Sequence, residues 1–411
     1  MIHQTDERKG ILIMYKKQNY RGKPARYNNR GKSNRPKQAN IHESKFINRN
    51  IVRTDIEVIV HEPTHASFGD FNLVAPLQKN LDRLGFSLPS PIQDKTIPLA
   101  MDQKDIIGLA NTGTGKTAAF LLPIINRLYF NRNLESVLIM APTRELAGQI
   151  DDELRKFADG MKLYSVLLVG GVNINPQMRG LARRPHIIIG TPGRIKDHMQ
   201  RGTLKLNNID TLILDEADRM LDMGFVNDIK NIASQLPSNR QTLCFSATFS
   251  DGVKKITDYL MNNPEYISVK QTETNDHIFQ DVIHFTDNDH KRELLISILG
   301  KDELEKVIIF GETKYGVQRL SDSIEKLGIT SRAIHGNKSQ GQRNKALSDF
   351  KAAKARVLVA TDVAARGLDI PNVSHVINFD IPNSYDDYVH RIGRTGRSGN
   401  TGNALTFVQK R

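Results

Sequence analysis

The chain has 411 residues, of which 39% are hydrophobic and 25% charged, with a formal net charge of +13. That length suits two domains with separate cores, and no apolar run approaches the roughly 18 residues of a membrane span. One cysteine, Cys244, excludes an internal disulfide framework and any cysteine-based metal site, so a cytoplasmic protein is expected.

Residues 1–50 hold 13 Lys/Arg against three acids, which is ten of the thirteen net positive charges. They lack apolar periodicity, and residues 11–14 are too short for a secretory signal. A disordered basic tail over 1–50 is expected, with Tyr15, Tyr20 and Tyr27 available to stack on single-stranded bases. The plainer reading is a solvated tail that keeps the protein soluble. Met14 opens a more uniformly basic segment, leaving Met1 and Met14 as two readings of the start.

From about residue 68, apolar strand-like runs alternate with amphipathic stretches. Strands are expected at 105–109, 136–140, 165–169, 186–189, 211–214 and 242–245. A second series follows at 306–310, 330–334, 357–360, 375–378 and 404–408. This alternation predicts parallel sheets covered by helices, with the loops after the strands gathered on one edge of each sheet. The expected divisions are a first α/β domain over 51–270, a polar linker over 271–278 and a second α/β domain over 279–411. Cys244 lies in the apolar run 243–245 and reads as a small buried hydrophobe.

The segment ANTGTGKT (110–117) follows an expected strand and opens an expected helix. Gly113 and Gly115 let backbone N–H groups approach phosphates, Thr112 and Thr114 complete the loop, and the helix N-terminus favours negative charge. Lys116 is placed to reach the terminal phosphates of a nucleotide, and Thr117 to help hold Mg²⁺. Further along, DEAD (215–218) closes an apolar strand. Asp215 is the natural Mg²⁺ partner through water, and Glu216 faces the attacking water. A free Glu near pKa ~4.3 cannot fully deprotonate water beforehand, since that would cost about 15 kcal/mol; orienting the water fits better. Nucleotide hydrolysis is the expected chemistry.

From Phe68 onward these and further motifs resemble, in order, the DEAD-box RNA helicases of superfamily 2. GFSLPSPIQ (85–93) is similar to the family's Q motif, which implies that Gln93 reads the adenine edge while Phe68 covers the base. PTRELA (142–147), Gly170–Gly171 and TPGR (191–194) resemble its first-domain RNA contacts, implicating Pro142, Thr143, Arg144, Gly170, Gly171, Thr191, Pro192, Gly193 and Arg194. SAT (246–248) resembles the motif coupling hydrolysis to unwinding, so Ser246 and Thr248 are expected near Asp218. In the second domain the resemblance implies RNA contacts at Thr313, Lys314, His335, Gly336, Arg343, Thr361 and Asp362, and a ribose contact at Asp369. A capping or core role is the plainer reading of His335. HRIGRTGR (390–397) resembles the motif with arginine fingers, Arg394 and Arg397, and with His390 as a coupling residue. The family pattern usually continues through another helix beyond the final strand, whereas Arg411 follows that strand closely.

The resemblance implies two tandem RecA-like domains, ATP and Mg²⁺ as cofactors, RNA as partner and a monomer. Two other readings share most of these motifs: a DNA-acting motor of the same superfamily, and an ATP-gated RNA clamp that seldom unwinds.

Overall fold

A computed structural model describes residues 46–47, 64–111, 113–131, 136–269, 278–301, 304–365, 370, 373–396 and 401–410. Thr112, Asp369, Arg397, linker residues 271–277 and tail residues 1–45 and 48–50 lie outside the described residues.

The described chain forms two parallel α/β sheets. The first contains β1 (Ile106–Leu109), β2 (Val137–Met140), β3 (Ser165–Leu168), β4 (Ile187–Gly190), β5 (Thr211–Leu214), β6 (Gln241–Ser246) and β7 (Glu265–Ser268), in the order β3-β4-β2-β5-β6-β1-β7. The second contains β8 (Ile278–Phe285), β9 (Val307–Phe310), β10 (Ser331–Ile334), β11 (Val357–Ala360), β12 (His375–Asn378) and β13 (Gly402–Gln409), in the order β10-β11-β9-β12-β13-β8.

Helices cover both faces, so the central strands are buried throughout and read as near-continuous runs rich in Val, Ile and Leu. Alternation still governs direction. Val137 and Ile139 enter one core with Phe120 and Ile125, while Leu138 and Met140 enter the opposite one with Leu212 and Ile229. The second sheet repeats this, with Ile308 and Phe310 on one face and Val307 and Ile309 on the other. Each such side chain contributes roughly 1.5–3 kcal/mol of burial, which holds the strand ends, and the loops after them, in place.

Two strands escape the hydrophobic pattern. β7 buries only Ile267, and β8 interleaves Gln280, Asp281 and His284 with its apolar residues. Both are edge strands, where one side has no neighbour to demand an apolar run. Ile278 opens β8, so the strand takes the last residue assigned to the linker. Near the end of the segment expected as a tail, Phe46 is buried in one cluster with Ile278, Tyr388, Ile392 and Ala404 of the second half.

Strand order sorts the loops. Those after β3, β4 and β2 carry Gly170–Gly171, Thr191–Arg194 and Pro142–Arg144. Those after β5, β6 and β1 carry the DEAD acids, the SAT hydroxyls and the glycine-rich loop. One sheet edge therefore holds two neighbouring clusters of functional loops. The second sheet also groups its candidate RNA loops, after β10, β11 and β9.

Candidate active site

Register brings the nucleotide loops together. Leu109 pairs with Ser246 and Leu214 with Cys244, so the chain leaves β1, β5 and β6 at nearly one level. The Ala110 amide continues the ladder by donating to the Ser246 carbonyl at 3.0 Å. Beyond it, Lys116 begins the helix Lys116–Asn131, and its buried ammonium donates to the Ala110 carbonyl at 2.9 Å, curling the loop around its own cation. Gly115 has φ +91°, and a Cβ there would meet Gln93 Nε2 at 2.3 Å. The glycine is required on both counts.

Gln93 ties the Q motif to that loop. Its Nε2 donates to the Gly115 carbonyl at 3.1 Å, its Oε1 accepts from the Ser90 amide at 2.8 Å, and Ser90 Oγ donates to the Thr114 carbonyl at 2.7 Å. A carboxamide keeps a second N–H and a second lone pair after these bonds, so one donor and one acceptor remain for an adenine edge. Phe68, expected as a base cover, is 1% exposed, and its ring packs edge-on against Phe71 and Phe86 in the core that supports the Q motif.

Asp215 and Glu216 are both buried but sit in opposite electrostatic environments. Burial raises the Asp215 carboxyl to about 6; Lys116 opposes this, and neighbouring Glu216 and Asp218 reinforce it. Burial also pushes Glu216 upward, but Arg219, Lys116 and Arg394 together more than offset it and hold the group at about 2. Arg219 Nη1 lies 2.7 Å from Glu216 Oε2. Glu216 is thus fixed as an anion, and its φ of +54°, left-handed for a residue with a Cβ, is backbone strain worth roughly 1–3 kcal/mol at the site. Arg394 reaches this carboxylate electrostatically from the other half of the chain.

Asp218 faces away from this pair. Its Oδ2 accepts from the Ala247 amide (3.1 Å), the Thr248 amide (2.9 Å) and Thr248 Oγ1 (3.0 Å), while its own amide donates to Ser246 Oγ (3.3 Å). Asp218, Ser246 and Thr248 therefore form one bonded unit joining the end of β6 to the acids after β5. Cys244 is buried, and its thiol is pushed up to about 12 by burial and by the charges of Asp218 and Asp215; this matches an inert core residue.

The first half's candidate RNA loops support one another. Thr143 caps the helix Arg144–Phe157 by accepting from the Leu146 amide, and Arg144 lies across the Gly170–Gly171 turn. A Cβ on Gly171, where φ is +72°, would overlap the Arg144 guanidinium. Arg194 follows Thr191, Pro192 and Gly193 at the start of the helix Pro192–Gln200 and donates to the Val172 carbonyl at 3.4 Å. Thr313 caps the helix Lys314–Lys326 in the second half. Gly336 borders open space, and Thr361 accepts the first turn of the helix Asp362–Ala365.

Three expected RNA contacts are engaged within the protein. His335 Nε2 meets Gln318 Oε1 at 3.0 Å, and its Nδ1 accepts from the Asn337 amide at 3.3 Å, which is the capping arrangement. Burial, with the charges of Lys338, Arg343 and Lys314, pulls its pKa down and favours the neutral ring. The Asp362 carboxylate receives a two-pronged contact from Arg391 at 2.6 and 2.7 Å, which engages both of its oxygens. Arg391, 2% exposed, also donates to the Asp380 carbonyl and lies over Phe310. Arg343 forms a 2.7 Å ion pair with Glu145, and Gln340 Nε2 donates to the same carboxylate at 3.0 Å.

Glu145, Arg219, Gln340 and Arg391 thus join the site without having been singled out. Three of them lie inside quoted motifs or one residue beyond, yet nothing local to them names their partners.

Residues 90–256 match the DEAD/DEAH box helicase domain and residues 290–399 the helicase conserved C-terminal domain. The ATP-dependent RNA helicase CshA of Listeria monocytogenes is 46% identical over 84% of this chain and 66% of its own length. The DEAD-box ATP-dependent RNA helicase CshA of Geobacillus kaustophilus is 46% identical over 84% of this chain and 74% of its own. The chain thus spans about two thirds to three quarters of these curated relatives. Among solved structures, S. cerevisiae Dbp5 bound to RNA and ADP BeF3 is 32% identical, covering 84% of this chain and 90% of that one with a TM-score of 0.75. With both domains matched in order on two parallel-sheet halves, the chain belongs to the DEAD-box family of helicases.

Proposed function

We propose that this chain is an RNA-dependent ATPase that couples ATP hydrolysis to local, non-processive separation of short RNA duplexes. The observation that carries this reading is that the two halves touch through the 2.7 Å Arg343–Glu145 ion pair, with Arg394 of one half lowering the Glu216 carboxyl of the other electrostatically.

The glycine-rich loop and Lys116 bind the phosphates, with Gln93 reading adenine and Asp369 meeting the ribose. Oxygen donors are what Mg²⁺ takes, and Thr117 and Asp215 supply them. Mg²⁺ keeps much of its hydration shell, so two such donors would hold it together with water and substrate phosphates. When bound, Mg²⁺ supplies charge neutralisation between the terminal phosphates. Glu216, held near 2, is too weak a base to pre-ionise water: that would cost about 19 kcal/mol. It orients the water and accepts its proton as bonding to phosphorus advances. Arg394 and Arg397 stabilise the charge that develops on the transferred group, a role worth about 10³–10⁵ in rate elsewhere.

Phosphate contacts on both halves would favour the closed arrangement, so RNA and ATP each tighten the other. If closure bends one strand, each opened pair costs about 1.4 kcal/mol by the DNA stacking figure, and only a few open per event. Sequence preference is then small, because backbone contacts carry no base information. No described helix is long and apolar enough to cross a membrane, and we place the activity in the cytoplasm with the protein acting as a monomer.

Comparing ATPase stimulation by RNA and by DNA of equal sequence tests this directly. RNA alone should stimulate strongly; equal stimulation by both would reassign the chain to DNA. A strand-displacement assay with Glu216→Gln as control separates unwinding from clamping. Displacement by wild type and its loss in the variant support unwinding, whereas long-lived RNA retention without displacement by wild type supports a clamp.

A further inference from the structure

Phe46 is the sole Phe, Tyr or Trp between Tyr27 and Phe68, flanked by the polar Ser44, Lys45 and Asn48 and by the apolar Ile47. A lone aromatic in a basic segment would ordinarily be solvated. Here it is 1% exposed, while Ile47 beside it is 39% exposed, so one ring is taken selectively into the fold.

Its seat belongs wholly to the second half. The ring lies 4.8 Å from that of Tyr388, tilted by 56°, with Ile278 of β8, Ala404 of β13 and Ile392 completing the cavity. Val282, Tyr385 and Val389 form its margin. Tyr388 is itself fixed, because its hydroxyl donates to the buried Gln280 Oε1 at 2.9 Å. The seat therefore lies between the outer strand pair β8–β13 and the helix Tyr385–Ile392. That helix carries His390 and Arg391 and leads directly to Arg394.

The same segment is held to the first half a little further on. The Thr64 and His65 amides donate to the Asp94 carboxylate at 3.0 and 3.1 Å, next to Gln93 of the Q motif. Sixteen residues, 48–63, connect the two attachments. Fully extended, they reach up to about 55 Å, ample for a crossing between halves.

We propose that the second half carries a docking surface for this chain's own N-terminal segment, with Phe46 as its anchor. The anchored segment makes a second covalent connection between the halves, in addition to the linker.

Phe46→Ala in the full chain tests the anchor, with Phe46→Leu as the milder variant should the first fold poorly. Hydrogen exchange of amides in 278–285, 385–392 and 402–409 should accelerate about tenfold or more, with the first sheet unchanged and Leu intermediate. Unchanged exchange in those three segments would overturn the docking surface.

Discussion

Arg343 and Glu145 stand 2.7 Å apart although one belongs to the second half and the other to the first. Gln340 adds a hydrogen bond to the same carboxylate, so two side chains from one helical turn hold the start of the helix Arg144–Phe157. Both ion-pair partners are nearly buried, so the contact is shielded from salt and depends on the halves being together. Arg144, next to Glu145, lies on the Gly170–Gly171 turn. Closure and the candidate RNA surface therefore meet within two consecutive residues.

Arg343→Ala should weaken closure without harming the nucleotide loop. Leaving a buried charge unpaired costs about 3–5 kcal/mol, which corresponds to roughly a hundredfold or greater loss of the closed population. RNA-stimulated ATPase should fall by about that factor, while titration with a fluorescent ATP analogue without RNA stays near wild type. Equal losses in both measurements would place Arg343 in the folding of the protein instead.

Asp362→Asn should act on stability before chemistry. Arg391 would keep its buried position but lose its charge partner, a change of about 3 kcal/mol or more in the second half. Thermal unfolding should show this half melting earlier, with the first half's transition unmoved. A variant that melts like wild type but loses RNA affinity would return Asp362 to the RNA surface.

Asp215 predicts a stability that varies with pH in an unusual direction. Its folded pKa, about 6, lies above the ordinary 3.8, so burying this carboxyl is tolerated when protonated and opposed when ionised. The contribution is fully present below about 3.8 and is lost as pH rises through 6. Asp215→Asn should therefore stabilise the ligand-free protein at pH 7, on the order of 2–3 kcal/mol, while abolishing ATP hydrolysis. The gain should shrink below pH 6 and disappear near pH 4, as read from thermal unfolding of both proteins across that range. Glu216 has the opposite sign. Its stabilising pairing is present above 4.5 and fades as pH falls towards 2, outside the window of this comparison.

The candidate catalytic residues were legible because each stands in an unbroken run after a strand. Lys116, Asp215, Glu216 and Thr248 could be placed from order and spacing, and parallel register then set them side by side. What was hidden is carried by distance along the chain. Asp362 and Arg391 are 29 residues apart and Gln340 and Glu145 are 195 apart, and no local pattern encodes such pairings. Phe68 and His335 were ambiguous for the opposite reason, since an aromatic or a histidine at a motif position serves packing and capping equally well. Phe46 was lost in the charge of its surroundings, although one ring in a polar segment is enough to fill a seat that the second half already provides.

Single-turnover ATP hydrolysis by Arg394→Ala at saturating RNA tests most directly whether the active site is assembled from both halves. Arg394 is buried and acts electrostatically on Glu216, and its loss should slow hydrolysis by about 10³-fold or more with ATP binding nearly intact. Hydrolysis within a few-fold of wild type would mean that the first half is catalytically complete alone, and would contradict closure as the step that builds the site.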